Sequence, residues 1–447
     1  MNPISQLRFD SLAGYSRSPM MALIARDLAW YEVGNERVLG LVALDLTDED
    51  YVSYILGRDA KGRFRAVWLE CSIETQDAAT ELLRTTIAEY ALKPAEEFYQ
   101  GDEGGRKLDF LTPVVPPERQ HPIFKTLISA RGYSPARALI SEMMHYFDDV
   151  DGNFVQQFQS DGFNPRFWEL YLYALLNELG YGFDREYEAP DFHCQGLLGD
   201  FFVEATTINP AEEAPRVDAS NQDAYFEHYV PMRYSGALCA KLKMKYWEKP
   251  HVIGHPLVLA IQDFHMSDAM AWSNPALVEY LYAIRQVERV GAQDKSEIVS
   301  EKVTEYRWGD KTPIAAGFFL LPESENISAV LANPSGTLPK FNRMAFLAGF
   351  GDRDIKMIRS GLCYREGSLT PERFYSEIYS PDYSETWCEG VSVYENPNAK
   401  IPLPREAFPC AAHHTSRDGR IFCRKPSFHP VGSTTCIVTP KATEANS

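Results

Sequence analysis

The stretch APDFHCQGLLGDFFVEATT, residues 189–207, sets two carboxylates into what otherwise reads as a buried β-hairpin. Asp191 stands at the start of one apolar segment, and Glu204 stands inside the next. Acidic residues are depleted from strand interiors, and a buried carboxylate is costly unless a partner neutralises it. Either a cation collects the two carboxylates, or the strands are less buried than their apolar residues suggest.

Side chains alternate along a strand, and this alternation decides how the two carboxylates can meet. On the second segment the even-numbered positions 200–206 share one face with Glu204, and the odd-numbered positions share the other. Asp191 on the neighbouring strand can then face Glu204. Two carboxylates held close together repel each other unless a divalent cation neutralises them. Mg²⁺ (or Mn²⁺) is the expected cofactor, because Mg²⁺ prefers oxygen ligands and is often held by only one or two carboxylates.

The residues on either side of this stretch predict an α/β unit. NPRFWELYLYALLNELG, residues 164–180, has helical spacing, with Asn164 as a cap and Gly180 as a stop. After the two strands, residues 234–249 predict a basic helix and residues 255–265 a buried strand. The order helix, strand, strand, helix, strand predicts an α/β core with a mixed sheet.

This element order, with Pro190-Asp191 on one strand and Val203-Glu204 on the next, resembles the PD-(D/E)xK nuclease superfamily. The resemblance covers roughly residues 160–265. It implies a restriction-endonuclease-like mixed sheet core flanked by helices. It also implies a metal-dependent nuclease that hydrolyses phosphodiester bonds in nucleic acid, with Asp191 and Glu204 as catalytic metal ligands. A metal ion held there polarises the phosphodiester and generates a hydroxide nucleophile.

Glu169, on the helix before the strands, is a third candidate metal ligand. Leu172, Tyr173 and Leu176 follow it at helical spacing, so Glu169 borders the apolar face of that helix. A glutamate in the first turns of a helix is also favourable against the helix macrodipole wherever it points. Both interpretations, a metal ligand and an ordinary helix residue, stay open at this point.

One position departs from the superfamily pattern. Thr206 stands two residues after Glu204, where the superfamily has a lysine that stabilises charge and positions the water. Lys241 and Lys245 lie one turn apart on the predicted helix that follows, so one stripe would carry both amines. We expect Lys241 or Lys245 to replace the missing lysine as a catalytic residue. Lys241 is favoured because it lies between Leu238 and Leu242, where a side chain is held against the core.

The same segment predicts a contact with nucleic acid. Arg233, Lys243 and Lys249 add positive charge against a single acid, Glu248, so the segment forms a local basic patch able to meet phosphates. A solvated helix face would have the same composition. Because the motif lysine is absent, the alternative function is a catalytically silent nuclease-fold module that binds nucleic acid or a protein partner.

Composition limits the broader possibilities. The chain has 447 residues, of which 45% are hydrophobic and 24% charged, which is typical of a globular protein with two to three domains. A net charge of -18 opposes non-specific binding of nucleic acid by the whole surface, so a nucleic-acid site must be local. We predict a small N-terminal α+β domain in residues 1–95, a linker in 96–122, the nuclease-like core in 123–310 and a C-terminal α+β extension in 311–447.

The remaining signals concern location and cysteine chemistry. The first residues show no signal-peptide pattern, and no apolar run approaches the length of a membrane span. Eight cysteines in a chain of this length predict reduced thiols in a cytoplasmic protein. The cysteines and histidines of residues 410–429 lack the paired spacing of a zinc site, so core and loop positions explain them better. The polar turn segment NPSGTLPKFNRM, residues 333–344, predicts a surface loop that carries Lys340 and Arg343.

Overall fold

A computed structural model describes residues 1–104, 107–149, 152–184, 186–218, 220–290, 296–368 and 370–439. The described chain is mixed α/β, with one large mixed sheet and several smaller sheets, as the sequence predicts. No helix within these ranges has the length and apolar character needed to cross a membrane.

An antiparallel sheet of five strands in chain order occupies the first part of the chain, and its last helix covers one face. The strands are β1 (Asn2–Ile4), β2 (Ala25–Val33), β3 (Val38–Asp45), β4 (Tyr51–Arg58) and β5 (Phe64–Ile73); the helices are α1 (Gln6–Ala13), α2 (Met21–Ile24) and α3 (Gln76–Tyr90). Leu12 and Phe64 share one buried cluster with Phe124 and Leu139 from later helices. This sheet therefore packs directly on the helical segment that follows residues 96–122.

Four helices come next: α4 (Pro122–Ser129), α5 (Ser134–Met143), α6 (Phe154–Gln159) and α7 (Phe163–Glu178). Helix α7 is the central one, and Trp168 and Tyr171 on it are fully buried. It begins one residue before Asn164, with Gly162 at the N-cap, so the predicted side-chain cap is wrong. Gly180 follows the end of α7 with a φ of 80°, a left-handed conformation that glycine adopts easily, as predicted.

The stretch 189–207 contributes to the second and third of the next four strands. The four strands are β6 (Gly182–Asp184), β7 (Phe192–Gln195), β8 (Phe201–Ile208) and β9 (Leu257–Asp263). Strands β6, β7 and β8 pair antiparallel, whereas β8 and β9 pair parallel. The connection from β8 to β9 contains α8 (Gln222–Ala224), a π-helical turn (Tyr225–Tyr229) and α9 (Val230–Leu242).

Helix α9 ends earlier than the sequence predicts. Its last residue is Leu242, and the chain turns at Lys245, which has a φ of 50°. The turn buries Tyr246 in the cluster beneath α9, and this burial outweighs the helical preference of the lysine-rich segment. The prediction that Lys241 and Lys245 share one helical stripe is therefore wrong.

The C-terminal half completes the same sheet. Its elements are α10 (Asn274–Tyr282), β10 (Ile284–Val290), β11 (Ser296–Lys302), β12 (Glu305–Tyr306), β13 (Ile314–Ala315), β14 (Ala329–Ala332), α11 (Leu338–Leu347), β15 (Lys356–Arg365), β16 (Glu372–Glu377), β17 (Ser392–Glu395), β18 (Ala412–Arg417), β19 (Arg420–Arg424) and β20 (Phe428–Val438). The large sheet has eight strands in the order β19-β18-β17-β14-β9-β8-β7-β6. Strands β15, β16 and β20 form a separate antiparallel sheet.

The two faces of β8 belong to different parts of the core, as the predicted alternation requires. Phe201, Val203 and Ala205 lie in the cluster built around α7. Phe202 and Ile208 lie in the cluster with α9. Because Glu204 shares the face of Phe202 and Ile208, it points toward the α9 side of the sheet.

Two predictions about the C-terminal half are corrected by the structure. Cys388 and Cys410 form a disulfide with their Cα atoms 6.1 Å apart, so the prediction of reduced thiols is wrong for this pair, which the fold brings together. Lys340 and Arg343 lie on helix α11 and are 0% and 2% exposed, so they do not belong to a surface loop. The carboxylate of Glu385 supplies the counter-charge that makes their burial possible.

Candidate active site

The pairing of β7 with β8 brings the two predicted carboxylates together. Phe192 is paired with Val203 in the antiparallel register, so Asp191 and Glu204 occupy the next pair of opposed positions. Asp191 Oδ2 accepts a hydrogen bond of 2.7 Å from the backbone N–H of Ala205. This bond fixes the Asp191 carboxylate beside the backbone that carries Glu204.

Glu204 is buried and held by two donors. Lys241 Nζ lies 2.5 Å from Glu204 Oε1, and the Tyr246 hydroxyl donates to the same oxygen at 2.8 Å. Only 4% of Glu204 is exposed, and its second oxygen, Oε2, is buried without a hydrogen-bond partner among the described residues. An unsatisfied buried carboxylate oxygen is costly, so Oε2 is suited to accept a ligand.

The electrostatics at Asp191 show how tightly the acids are gathered. Burial raises the pKa of Asp191 well above its ordinary value, and the carboxylates of Glu204 and Glu169 raise it further. The Ala205 N–H and the Lys241 ammonium act in the opposite direction but do not cancel the shift. Asp191 therefore favours a proton, or a cation in its place, over a bare negative charge.

Glu169 lies in the same cleft as Asp191, but an arginine already contacts it. Arg166 Nη1 donates to both carboxylate oxygens of Glu169, at 2.8 and 3.1 Å. Arg166 also contacts Asn153 and Gln157, so its guanidinium is fixed in place. Arg166 was not among the predicted site residues, although an arginine three residues before a glutamate on a helix is a readable signal for this ion pair.

The cleft that contains Asp191 and Glu169, which Glu204 does not line, has room for little more than an ion with waters. Its free volume is about 40 Å³, which accommodates a partly hydrated cation but not a nucleotide base. Its lining residues include both aromatic and charged side chains: Phe147, Asp148, Asp149, Phe154, Arg166, Glu169, Tyr187, Glu188, Asp191 and Phe192. Any larger substrate has to bind across the rim of the cleft.

Of the predicted lysines and arginines, the structure brings only Lys241 to the acids within the described residues. Lys245 Nζ instead lies 2.5 Å from Glu323 Oε1. Lys245 is the residue at which the chain turns after α9, with a φ of 50°. Arg233 donates to the backbone carbonyl of Asn209. Lys243 is exposed and Lys249 half-buried, so both stay accessible to a ligand. Lys245 therefore does not contact the carboxylate that Lys241 holds.

Tyr246 is the second contact that the sequence did not predict. Its hydroxyl bond to Glu204 depends on the turn at Lys245, which a helical pattern running to residue 249 conceals. Together Lys241 and Tyr246 fix Oε1 of Glu204, whereas Oε2 is buried without a hydrogen-bond partner among the described residues.

The residues present fit a hard divalent cation held by few protein ligands. In the described part of the chain no group of three or more His, Cys, Asp or Glu side chains is arranged as a complete metal cage. Mg²⁺ does not need one, because it keeps several waters and is often bound by one or two carboxylates with a substrate phosphate. Asp191 and Glu204 supply that pair, so they are the residues that would hold the ion.

Replacing Asp191 with Asn is expected to stabilise the metal-free protein by about 0.5–2 kcal/mol at pH 7, because it removes a carboxylate charge that its neighbours repel. The raised pKa penalises the folded state above the ordinary aspartate pKa of about 3.9, so the difference should vanish below about pH 4. Urea unfolding at pH 7 and pH 4 measures both values. Mg²⁺ should raise the melting temperature of the parent but not of the variant. A less stable variant at pH 7, or an equal shift with Mg²⁺, would contradict the site.

A larger cleft lies elsewhere. A cleft of about 860 Å³ separates α1 and β2 from the C-terminal end of α7, and Asp10, Arg17 and Asp27 line it. None of the paired acids of the candidate site lines this cleft. Size alone therefore does not identify the chemistry of this chain, and the converging charges of the smaller cleft are more informative.

Comparisons with known proteins yield no match to a protein-family model, a curated protein or a solved structure.

Proposed function

We propose that this protein is a metal-dependent nuclease that hydrolyses phosphodiester bonds, with Asp191 and Glu204 as the ligands of Mg²⁺ or Mn²⁺. One observation carries the proposal: Glu204 is buried with Lys241 on one oxygen, its other oxygen has no hydrogen-bond partner among the described residues, and Asp191 occupies the opposed position of the neighbouring chain segment. A carboxylate pair with an adjacent amine can hold a metal ion and stabilise the negative charge that builds during phosphodiester hydrolysis.

The arrangement of the elements supports the same proposal. Helix α7, strands β6 to β8, helix α9 and strand β9 follow in the order expected of a restriction-endonuclease-like core, with β6 as one additional short strand. Glu204 lies on β8, Asp191 immediately precedes the neighbouring strand β7, and Lys241 reaches Glu204 from the helix that follows.

Each residue of the site has a distinct role in the proposed reaction. The metal ion, when bound, supplies Lewis acidity toward the phosphate and lowers the pKa of a water molecule. Asp191 and Glu204 hold the ion. Lys241 stabilises negative charge that builds on the phosphoryl oxygens, and Tyr246 positions Glu204. Water adds to phosphorus and releases a proton to solvent, one phosphorus–oxygen ester bond breaks, and the departing oxygen takes up a proton from solvent.

The test is a cleavage assay on single- and double-stranded DNA and RNA with Mg²⁺ or Mn²⁺. We expect cleavage that a chelator abolishes and that added Mg²⁺ restores, because the acids alone cannot activate water against an anionic phosphate. Gel analysis of end-labelled oligonucleotides measures it. No cleavage of any substrate with either metal would contradict the proposal.

Two observations favour the alternative, a catalytically silent module of the same fold. Thr206 occupies the motif-lysine position, and Arg166 already neutralises Glu169. Such a module would bind nucleic acid or a protein partner through its basic segment without cutting. Binding without metal-dependent cleavage in the same assay would identify it.

A further inference from the structure

An aromatic pair lies at the rim of the cleft. The ring of Tyr187 stacks on the ring of His251, with centroids 3.8 Å apart and planes within 8°. Tyr187 also lines the cleft that contains Asp191 and Glu169. The residue is 40% exposed although His251 stacks on its ring, so Tyr187 is accessible to a ligand.

This pair is fixed relative to the carboxylates. His251 Nε2 lies 2.9 Å from the backbone carbonyl of Ala189, two residues before Asp191. The His251 ring also packs at 5.7 Å from Phe202, on the strand that carries Glu204. A ring anchored to both acidic strands can set the position of a substrate group relative to the metal ligands.

Charge around the cleft is unevenly distributed. Asp148, Asp149 and Glu188 line the cleft beside Asp191. Lys249 lies two residues before His251, and Lys241 contacts Glu204, so positive charge is found on the α9 side. One phosphate backbone can follow the lysines, but a second backbone close to the acidic residues would be repelled.

We infer that the substrate is single-stranded nucleic acid and that a base next to the cleaved phosphate stacks on Tyr187; this inference rests on the proposed function. A base can stack on a protein ring only when its own face is free, as in a single strand, whereas a duplex covers both faces of its bases. The cleft is too small for a base, so the base has to lie at the rim, where Tyr187 is exposed. Tyr187 is then a specificity-determining residue for strandedness.

The experiment measures binding of labelled oligonucleotides by fluorescence anisotropy with Ca²⁺, and their cleavage with Mg²⁺. The probes are a single strand, the duplex of the same sequence, and single strands with one abasic position moved along the chain. Tyr187→Ala should weaken single-strand binding about 5- to 150-fold, because base–aromatic stacking contributes that much. Tyr187→Phe should bind like the parent, since it keeps the ring. Tyr375→Ala, at a tyrosine 61% exposed on β16, is the matched control and should have no effect.

The contact between the base and Tyr187 is identified by combining two changes whose effects on binding should not add, the abasic position and Tyr187→Ala. An abasic position at the stacked base should weaken parent binding as much as Tyr187→Ala does, and should weaken the Tyr187→Ala variant little further. Equal binding of duplex and single strand by the parent, or unchanged single-strand binding by Tyr187→Ala, would overturn the inference even if the parent cleaves. Weaker binding by Tyr187→Ala with no cleavage by the parent would support stacking of a single-strand base on Tyr187 and overturn the catalytic proposal. A parent that binds no nucleic acid overturns both.

Discussion

Lys241→Met is expected to lower the rate of nucleic-acid cleavage by about 100-fold or more, while the protein still folds. Of the predicted amines, Lys241 alone contacts an acid of the site within the described residues. Its Nζ lies 2.5 Å from Glu204 Oε1. Methionine keeps most of the aliphatic length and removes the charge. Single-turnover cleavage with saturating Mg²⁺ measures the loss, and circular dichroism checks the fold.

A structural role for Lys241 would give a different result. The amine also lowers the pKa of Asp191, so its removal makes the acid pair harder to ionise and should shift the pH profile of cleavage upward. Lys241→Arg keeps the charge and should restore part of the rate. If Lys241→Met lowers the melting temperature but leaves the cleavage rate per folded molecule unchanged, Lys241 only supports Glu204.

Lys245→Met is the matched control. This lysine belongs to the same segment, but its ammonium contacts Glu323 and Glu248 at the surface. Removing it should change cleavage by less than about threefold, because exposed ion pairs contribute little. If Lys245→Met is as damaging as Lys241→Met, the role of Lys241 in replacing the missing lysine is wrong.

The local parts of the site could be predicted from the sequence, because they depend on strand periodicity. The alternation that places Glu204 opposite Asp191 follows from residues 189–207 alone. The flanking leucines, Leu238 and Leu242, predict that the Lys241 side chain is held against the core. The end of α9 could not be predicted, because it depends on the burial of Tyr246 by residues distant in sequence.

The pairing of strands that are distant in sequence is the second feature that the sequence could not predict. The sequence pattern predicts a C-terminal extension after residue 310. In the structure β14 pairs parallel with β9, and β17 to β19 continue the same sheet beyond β14. Local pattern carries no information on which distant strand a segment joins. The same limit explains Lys340 and Arg343, whose partner Glu385 lies more than forty residues further along the chain.

Glu385→Gln is expected to lower the free energy of unfolding by about 3–5 kcal/mol, because it leaves buried cations without their counter-charge. Glu385 Oε1 lies 3.1 Å from Lys340 Nζ, 2.7 Å from Arg343 Nη2 and 3.4 Å from Arg359 Nη1. Its side chain is fully buried, as is that of Lys340. Glu389 forms an ion pair with Arg359, but within the described residues its carboxylate forms none with Lys340 or Arg343. Urea unfolding at pH 7 measures the loss.

The pH dependence of the parent should have a defined sign. Burial alone would raise the pKa of Glu385, but Arg343, Lys340 and Arg359 hold it well below its ordinary value. A depressed pKa contributes stability above the unfolded glutamate pKa of about 4.3, and this contribution is lost as the pH falls toward the folded value. Glu385→Gln should therefore flatten the acid side of the stability profile.

Two variants separate this network from a general effect of losing a carboxylate. Glu372→Gln, at an exposed glutamate 4.0 Å from Arg365, should change stability by less than about 0.5 kcal/mol. Lys340→Met in the Glu385→Gln background removes one of the stranded cations and should recover part of the loss, since the two positions are coupled. Recovery is expected because methionine fits the fully buried path of the lysine side chain without an ammonium to solvate. If Glu385→Gln unfolds at the same urea concentration as Glu372→Gln, the three buried cations do not depend on Glu385 and must be balanced by Glu389 and the backbone carbonyls that Lys340 contacts.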